Sequence, residues 1–178
     1  MMKTIINCVQ FAVLLSCLSA CALVTVGDYA QNEPQLVPEL FFDGKLTAHG
    51  IVKDRSGLVR RYFSADINAS WTDGIGTLEE LFQFDDGERQ VRVWTLTPTG
   101  LGTYTATAPD VIGDGSMQVS GNSLFLDYML RIPYGDSTID LRIDDRMYLV
   151  SEKVILNQSR MVKWGIDVGE LVLVIQKR

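Results

Sequence analysis

Val59-Arg60-Arg61-Tyr62-Phe63-Ser64-Ala65-Asp66-Ile67-Asn68-Ala69-Ser70-Trp71 alternates apolar and polar residues at a period of two. Successive side chains of a β-strand point to opposite faces, so Val59, Phe63, Ala65, Ile67, Ala69 and Trp71 share one face. Arg60, Tyr62, Ser64, Asp66, Asn68 and Ser70 share the other, and Arg61 breaks the apolar side. This is the pattern of a strand with one face on a core. Thr138 to Asp145 repeats it, with Ile139, Leu141 and Ile143 opposed to Asp140, Arg142 and Asp144.

Turn chemistry divides the rest of the chain into short runs. Asp54-Arg55-Ser56-Gly57, Asp73-Gly74, Asp85-Asp86-Gly87-Glu88, Pro98-Thr99-Gly100, Gly113-Asp114-Gly115, Gly121-Asn122 and Gly135-Asp136 each supply a residue that starts a tight turn or tolerates positive φ. Recurrence at about a dozen residues is the mark of hairpins in an all-β domain, and no segment shows a competing helical period. Leu171 to Ile175 is nearly continuous in apolar residues, which suits a terminal strand covered on both sides that closes a sheet and removes its edge. The expectation is all-β: a single antiparallel up-and-down barrel of about eight to ten strands, preferred over an open sandwich.

The N-terminus sets an address. Lys3 precedes an apolar stretch from Val9 to Leu18, interrupted upstream by Asn7 and within by Gln10, and Leu18-Ser19-Ala20-Cys21 reads as a lipobox. The stretch is shorter than the roughly 20 apolar residues of a spanning helix, which favours a cleaved signal. Residues 1–20 are expected to be a lipoprotein signal peptide, with cleavage between Ala20 and Cys21 and lipidation of Cys21. Ser19 and Ala20 also suit an ordinary secretory peptidase, which would release a soluble protein. Of three cysteines, Cys8 and Cys17 fall in the discarded segment, so Cys21 is the sole mature thiol and no intramolecular disulfide forms. Ala22, rather than Asp, after the cut directs the protein to the outer membrane by the bacterial sorting rule. Residues 21–39, with Pro34 and Pro38, read as the lipidated cysteine and a tether, and residues 40–178 as the barrel domain.

Loss of Lys3 takes the formal net charge from −6 to −7. That argues against nucleic acid as a partner. One histidine, His49, and no free mature cysteine leave no credible metal or cofactor site, and no Gly-x-Ser-x-Gly elbow presents a serine, so an enzyme is not expected. The pairs Glu79-Glu80, Asp85-Asp86 and Asp144-Asp145 read as structural, because adjacent strand residues face opposite sides.

Charges at apolar strand positions carry more information: Arg61, Glu80, Arg92, Asp127 and Arg131. Pointing outward they form a solvated face. Pointing inward they are polar anchors in an aromatic-walled lumen, the composition of a small-molecule site. On that reading Phe63, Trp71, Phe82, Trp94 and Phe125 form the walls, and Arg92 or Arg131 meets a polar head.

Five passages, Phe41-Phe42-Asp43-Gly44, Phe84-Asp85-Asp86-Gly87-Glu88, Arg92-Val93-Trp94-Thr95, Asp144-Asp145-Arg146-Met147 and Lys163-Trp164-Gly165-Ile166, together resemble a family of bacterial lipoproteins known as domain of unknown function 3833. The resemblance implies lipidation and an envelope location, and it carries no activity. The expected barrel is similar in architecture to lipocalin-like (calycin-like) proteins, though fold alone does not imply function.

The function these readings favour is an outer-membrane-anchored periplasmic lipoprotein that binds a small hydrophobic or amphiphilic ligand. The alternative is a structural or interaction lipoprotein whose barrel is packed and empty of ligand. Replacing Cys21 with Ala is expected to move the protein from the membrane to the soluble envelope fraction; continued membrane fractionation of C21A would count against lipid anchoring.

Overall fold

The computed structural model describes residues 23–178; the lipobox and Cys21 lie outside them. Ten antiparallel strands form one closed barrel in which each strand pairs with the next and the last pairs with the first. They are β1 (Gly44–Asp54), β2 (Val59–Thr72), β3 (Ile75–Phe84), β4 (Arg89–Gly100), β5 (Thr103–Thr107), β6 (Val111–Ser120), β7 (Ser123–Tyr134), β8 (Ser137–Ser151), β9 (Val154–Lys163) and β10 (Ile166–Lys177). The up-and-down topology follows from turns that connect neighbours directly. Asp73-Gly74, Gly121-Asn122 and Gly135-Asp136 all fall between consecutive strands.

Gly113-Asp114-Gly115 does not make the expected turn. It lies inside β6, where the register with β7 shifts between Ile112 and Ser116. Gly113 takes a φ of 71°, so the left-handed residue serves a bulge rather than a hairpin.

The alternation in β2 fixes its orientation. Phe63, Ala65, Ile67 and Ala69 are buried toward the barrel axis, whereas Arg60, Asp66 and Asn68 are exposed. β10 carries Leu171, Leu173 and Ile175 inward and closes the sheet on β1, as its apolar run suggested. Its second face is not covered, however: Val172 remains 37% exposed, because a single-layer barrel leaves its outer surface to solvent. His49 is exposed on the outer face of β1.

One end of the barrel is filled. Leu46, Ala106, Met117, Leu124 and Ile155 are at most 2% exposed and pack beneath a short helix, α1 (Pro38–Phe41), with Phe41 and Phe42 wedged under the barrel. Polar contacts hold this plug in place. The Trp71 indole N–H donates to the Phe42 carbonyl at 2.7 Å, and the Tyr104 hydroxyl donates to Glu39 at 2.7 Å. Each buried aromatic or aliphatic side chain here contributes about 1.5–3 kcal/mol.

Residues 23–39 are not the free tether expected from their composition. A 3-10 turn, Val26–Tyr29, lays Tyr29 across the outer face of the barrel, with ring centroids 5.7 Å from Phe125 and 5.4 Å from Tyr148. The Leu36 amide then donates to the Gly121 carbonyl at 2.8 Å, and Leu36 and Pro38 are buried. The segment is a strap whose few apolar residues are irregularly spaced, so no periodicity betrays its packing.

Gly121 has a φ of 55°, and a Cβ there would sit 1.8 Å from the Tyr29 carbonyl oxygen. Gly121→Ala is therefore expected to dislodge the strap and to lower the unfolding free energy by at least ~1 kcal/mol in urea titration. An unchanged transition would show that the strap contributes nothing.

Candidate functional site

Above the plug the lumen stays open as a cavity of about 700 Å³. Eight strands give a barrel just wide enough to fill with side chains or hold one small ligand, and ten give more room. The lining is mostly apolar. Ala65, Ile67 and Leu78 lie deep, Phe63, Phe82 and Leu141 stand higher, and Glu88, Val91 and Pro133 mark a mouth at the end opposite α1.

Of the seven residues expected to make the site, Phe63, Phe82, Arg92 and Trp94 project into this cavity. Phe63 lies over Gly50, whose added Cβ would meet its ring at 2.5 Å, and it contacts Phe82 with centroids 5.7 Å apart. Trp94 meets Tyr128 edge to face at 5.2 Å. The other three sit elsewhere. Trp71 belongs to the plug, where its ring covers Gly76. Phe125 faces outward because Leu124 and Leu126 take the inward positions of β7; it packs under Tyr29, with the Arg146 guanidinium 3.8 Å from its ring centroid. Arg131 shares that outward parity; it borders the mouth, but its side chain pairs with Asp140 at 2.8 Å and is 53% exposed.

The charged strand positions divide accordingly. Arg61, Glu80 and Arg92 face in, and Asp127 and Arg131 belong to an outer lattice of ion pairs with Arg142 and Asp140. Arg61 stacks on Phe84 at 3.7 Å and binds Asp86 and Glu88 at the mouth. Arg92 is held in bidentate fashion by Asp110, at 2.7 Å from Nη2 and 3.0 Å from Nε. That pair continues the β4–β5 ladder with side chains, since backbone pairing stops at Thr95 and Thr107, shortly before Pro109.

Asp145, Tyr128, Asn157 and Ser159 also line the cavity. Asp145 Oδ1 accepts hydrogen bonds from Asn157 Nδ2 and, at 2.8 Å, from Ser159 Oγ. These residues were legible: extending the Leu141, Ile143 parity by one step places Asp145 inside, and Ile155 does the same for Asn157 and Ser159. Strand alternation already sets Asp144 and Asp145 on opposite faces, and setting the pair aside as structural left its inward member, Asp145, out of the expected site. Asp144 is buried on the outer side between Arg146 at 2.6 Å and Arg160 at 3.0 Å.

Comparison with known proteins yields a family and a fold. The profile of a family described as "Protein of unknown function (DUF3833)" matches residues 15–177. A search of the curated proteins returns no significant match. Among solved structures, the S-type phycobiliprotein lyase CPES from Guillardia theta is similar with a TM-score of 0.54 and 7% identity, over 76% of this chain and 88% of that one. At such identity the likeness concerns the fold alone, a lipocalin-like barrel.

The buried acids make stability depend on pH. Burial pushes Glu80 up to about 7, against the opposing pull of the Arg92 charge and a hydrogen bond from Trp94. Burial likewise raises Asp145 to about 6, although Asn157 and Ser159 favour its ionised form. Tyr128 is raised well above the ordinary phenol range for the same reason. An acid with a higher pKa folded than unfolded holds its proton more tightly when folded, so stability falls as pH rises from the ordinary carboxylate range through those values. The unfolding free energy is expected to be larger at pH 5 than at pH 8. Glu80→Gln should raise it at pH 8 by about 1 kcal/mol or more and flatten the decline; a decline of unchanged steepness would exclude Glu80 as its source.

Proposed function

Because this chain belongs to the DUF3833 family, whose description assigns no activity, the lumen carries the reading: we propose that the protein is a non-catalytic binding module for a small hydrophobic or amphiphilic ligand. The observation behind it is the open cavity of about 700 Å³, a volume in the range of small-molecule sites, with apolar walls and few polar groups. A scaffold that served only to display its surface would gain stability by filling that space with side chains. Likeness in fold to a phycobiliprotein lyase is compatible with a barrel that receives a small molecule.

The lipobox supports the rest of the proposal. Cys21 is acylated after cleavage at Ala20, and the lipid holds the barrel on the periplasmic face of the outer membrane. The strap brings the chain along the barrel wall to the 3-10 turn Val26–Tyr29, which packs on β6 and β7. Only the four residues 22–25 then separate Cys21 from the docked segment, so the anchor holds the barrel close to the bilayer instead of on a long leash.

Native mass spectrometry of the gently purified protein is expected to show an adduct released on collisional activation. Ala65→Phe, which places a ring in the cavity, should abolish the adduct while the fold persists by circular dichroism. A homogeneous apo mass that also takes up no apolar probe would overturn the proposal.

A further inference from the structure

The cavity is asymmetric in how its charges are satisfied. Every guanidinium at its lining already has a carboxylate: Arg61 has Asp86 and Glu88, Arg92 has Asp110, and Arg131 has Asp140. Two lining carboxylates, Glu80 and Asp145, make no ion pair among the described residues. Glu80 sits directly across the ladder from Arg92, but that guanidinium turns its fork to Asp110. Asp145 takes both of its hydrogen bonds on Oδ1, and among the described residues none reaches Oδ2.

An anionic head entering this lumen would find every guanidinium countered by a carboxylate, with only the Arg61 Nε–H left without a partner among the described residues, and would face two carboxylates that make no ion pair. A protonated nitrogen would find two acceptors in an apolar enclosure, where a charge-assisted hydrogen bond is about twice as strong as a neutral one. Trp94 and Tyr128, packed edge to face, line the cavity with these carboxylates and keep their surroundings apolar. Resting on the reading of the lumen as a ligand site, we infer that its occupant is an amphiphile whose polar end is a protonated amine, held by Glu80 and Asp145, with its apolar body along Phe63 and Phe82.

Calorimetric titration at pH 8 of the intact protein with decylammonium, decanol and decanoate tests this, because the three share one chain and differ in the head. Decylammonium is expected to bind at least about tenfold more tightly than decanol, with decanoate weakest. Glu80→Gln and Asp145→Asn, singly and together, should bring decylammonium toward decanol and leave decanol within about twofold. Asp145→Asn keeps an Oδ1 for Asn157 and Ser159, and the comparison among heads on the unaltered protein needs no variant. Decanoate binding as tightly as decylammonium, or a preference that survives the double substitution, would overturn the inference and leave the cavity as a binding site. Failure of all three to bind would overturn the binding-module reading itself.

Discussion

Closure of the sheet by β1 on β10 is the constraint on which the rest of the molecule depends. Leu46 to Asp54 pairs with Gly169 to Lys177 without a break in register, and Lys53 meets Glu170 across that seam at 2.6 Å. The pairing leaves neither terminal strand with an open edge, which in a single-layer sheet would otherwise be a template for aggregation. It also fixes parity around the ring. A slip of one residue would turn Phe63, Glu80, Arg92 and Asp145 out to solvent and bring their neighbours in.

Within that ring the protein divides its interior in two. The plugged half is a conventional core, where α1, Trp71 and Tyr104 seal one mouth and the most buried side chains pack against one another. The open half keeps a cavity and places ionisable groups in it at a cost. Burial is the main force that raises Glu80 and Asp145 toward neutrality, and neighbouring carboxylates add to it. Cores that serve stability alone avoid such groups, which is why their presence opposite a packed plug speaks for a site.

Strand-forming segments and their inward faces were legible from alternation, and so was closure by the apolar run at Leu171 to Ile175. The charged positions Arg61, Glu80 and Arg92 were visible as breaks in apolar faces, but their direction was not, since a charge at such a position is compatible with either side of a sheet. Phe125 illustrates the limit. It stands in a run, Leu124-Phe125-Leu126, that is apolar on both faces, and its outward side chain is buried because Tyr29 of the strap, Tyr148 and Arg146 cover it. Gly113-Asp114-Gly115 carries turn chemistry that a bulge uses equally well.

The amino-acid sequence by itself determined the all-β class, the antiparallel order of the strands and the lipobox reading, because period-two alternation, turn residues and an apolar leader are local properties. Tertiary structure alone decided the number of strands, the docking of the segment before β1, and that each guanidinium lining the lumen is taken by a carboxylate while Glu80 and Asp145 are left without an ion pair. Those outcomes depend on pairing between residues far apart in the chain, as when Asp110 takes the fork of Arg92 and leaves Glu80 to the lumen. Composition records such partners but not their meeting.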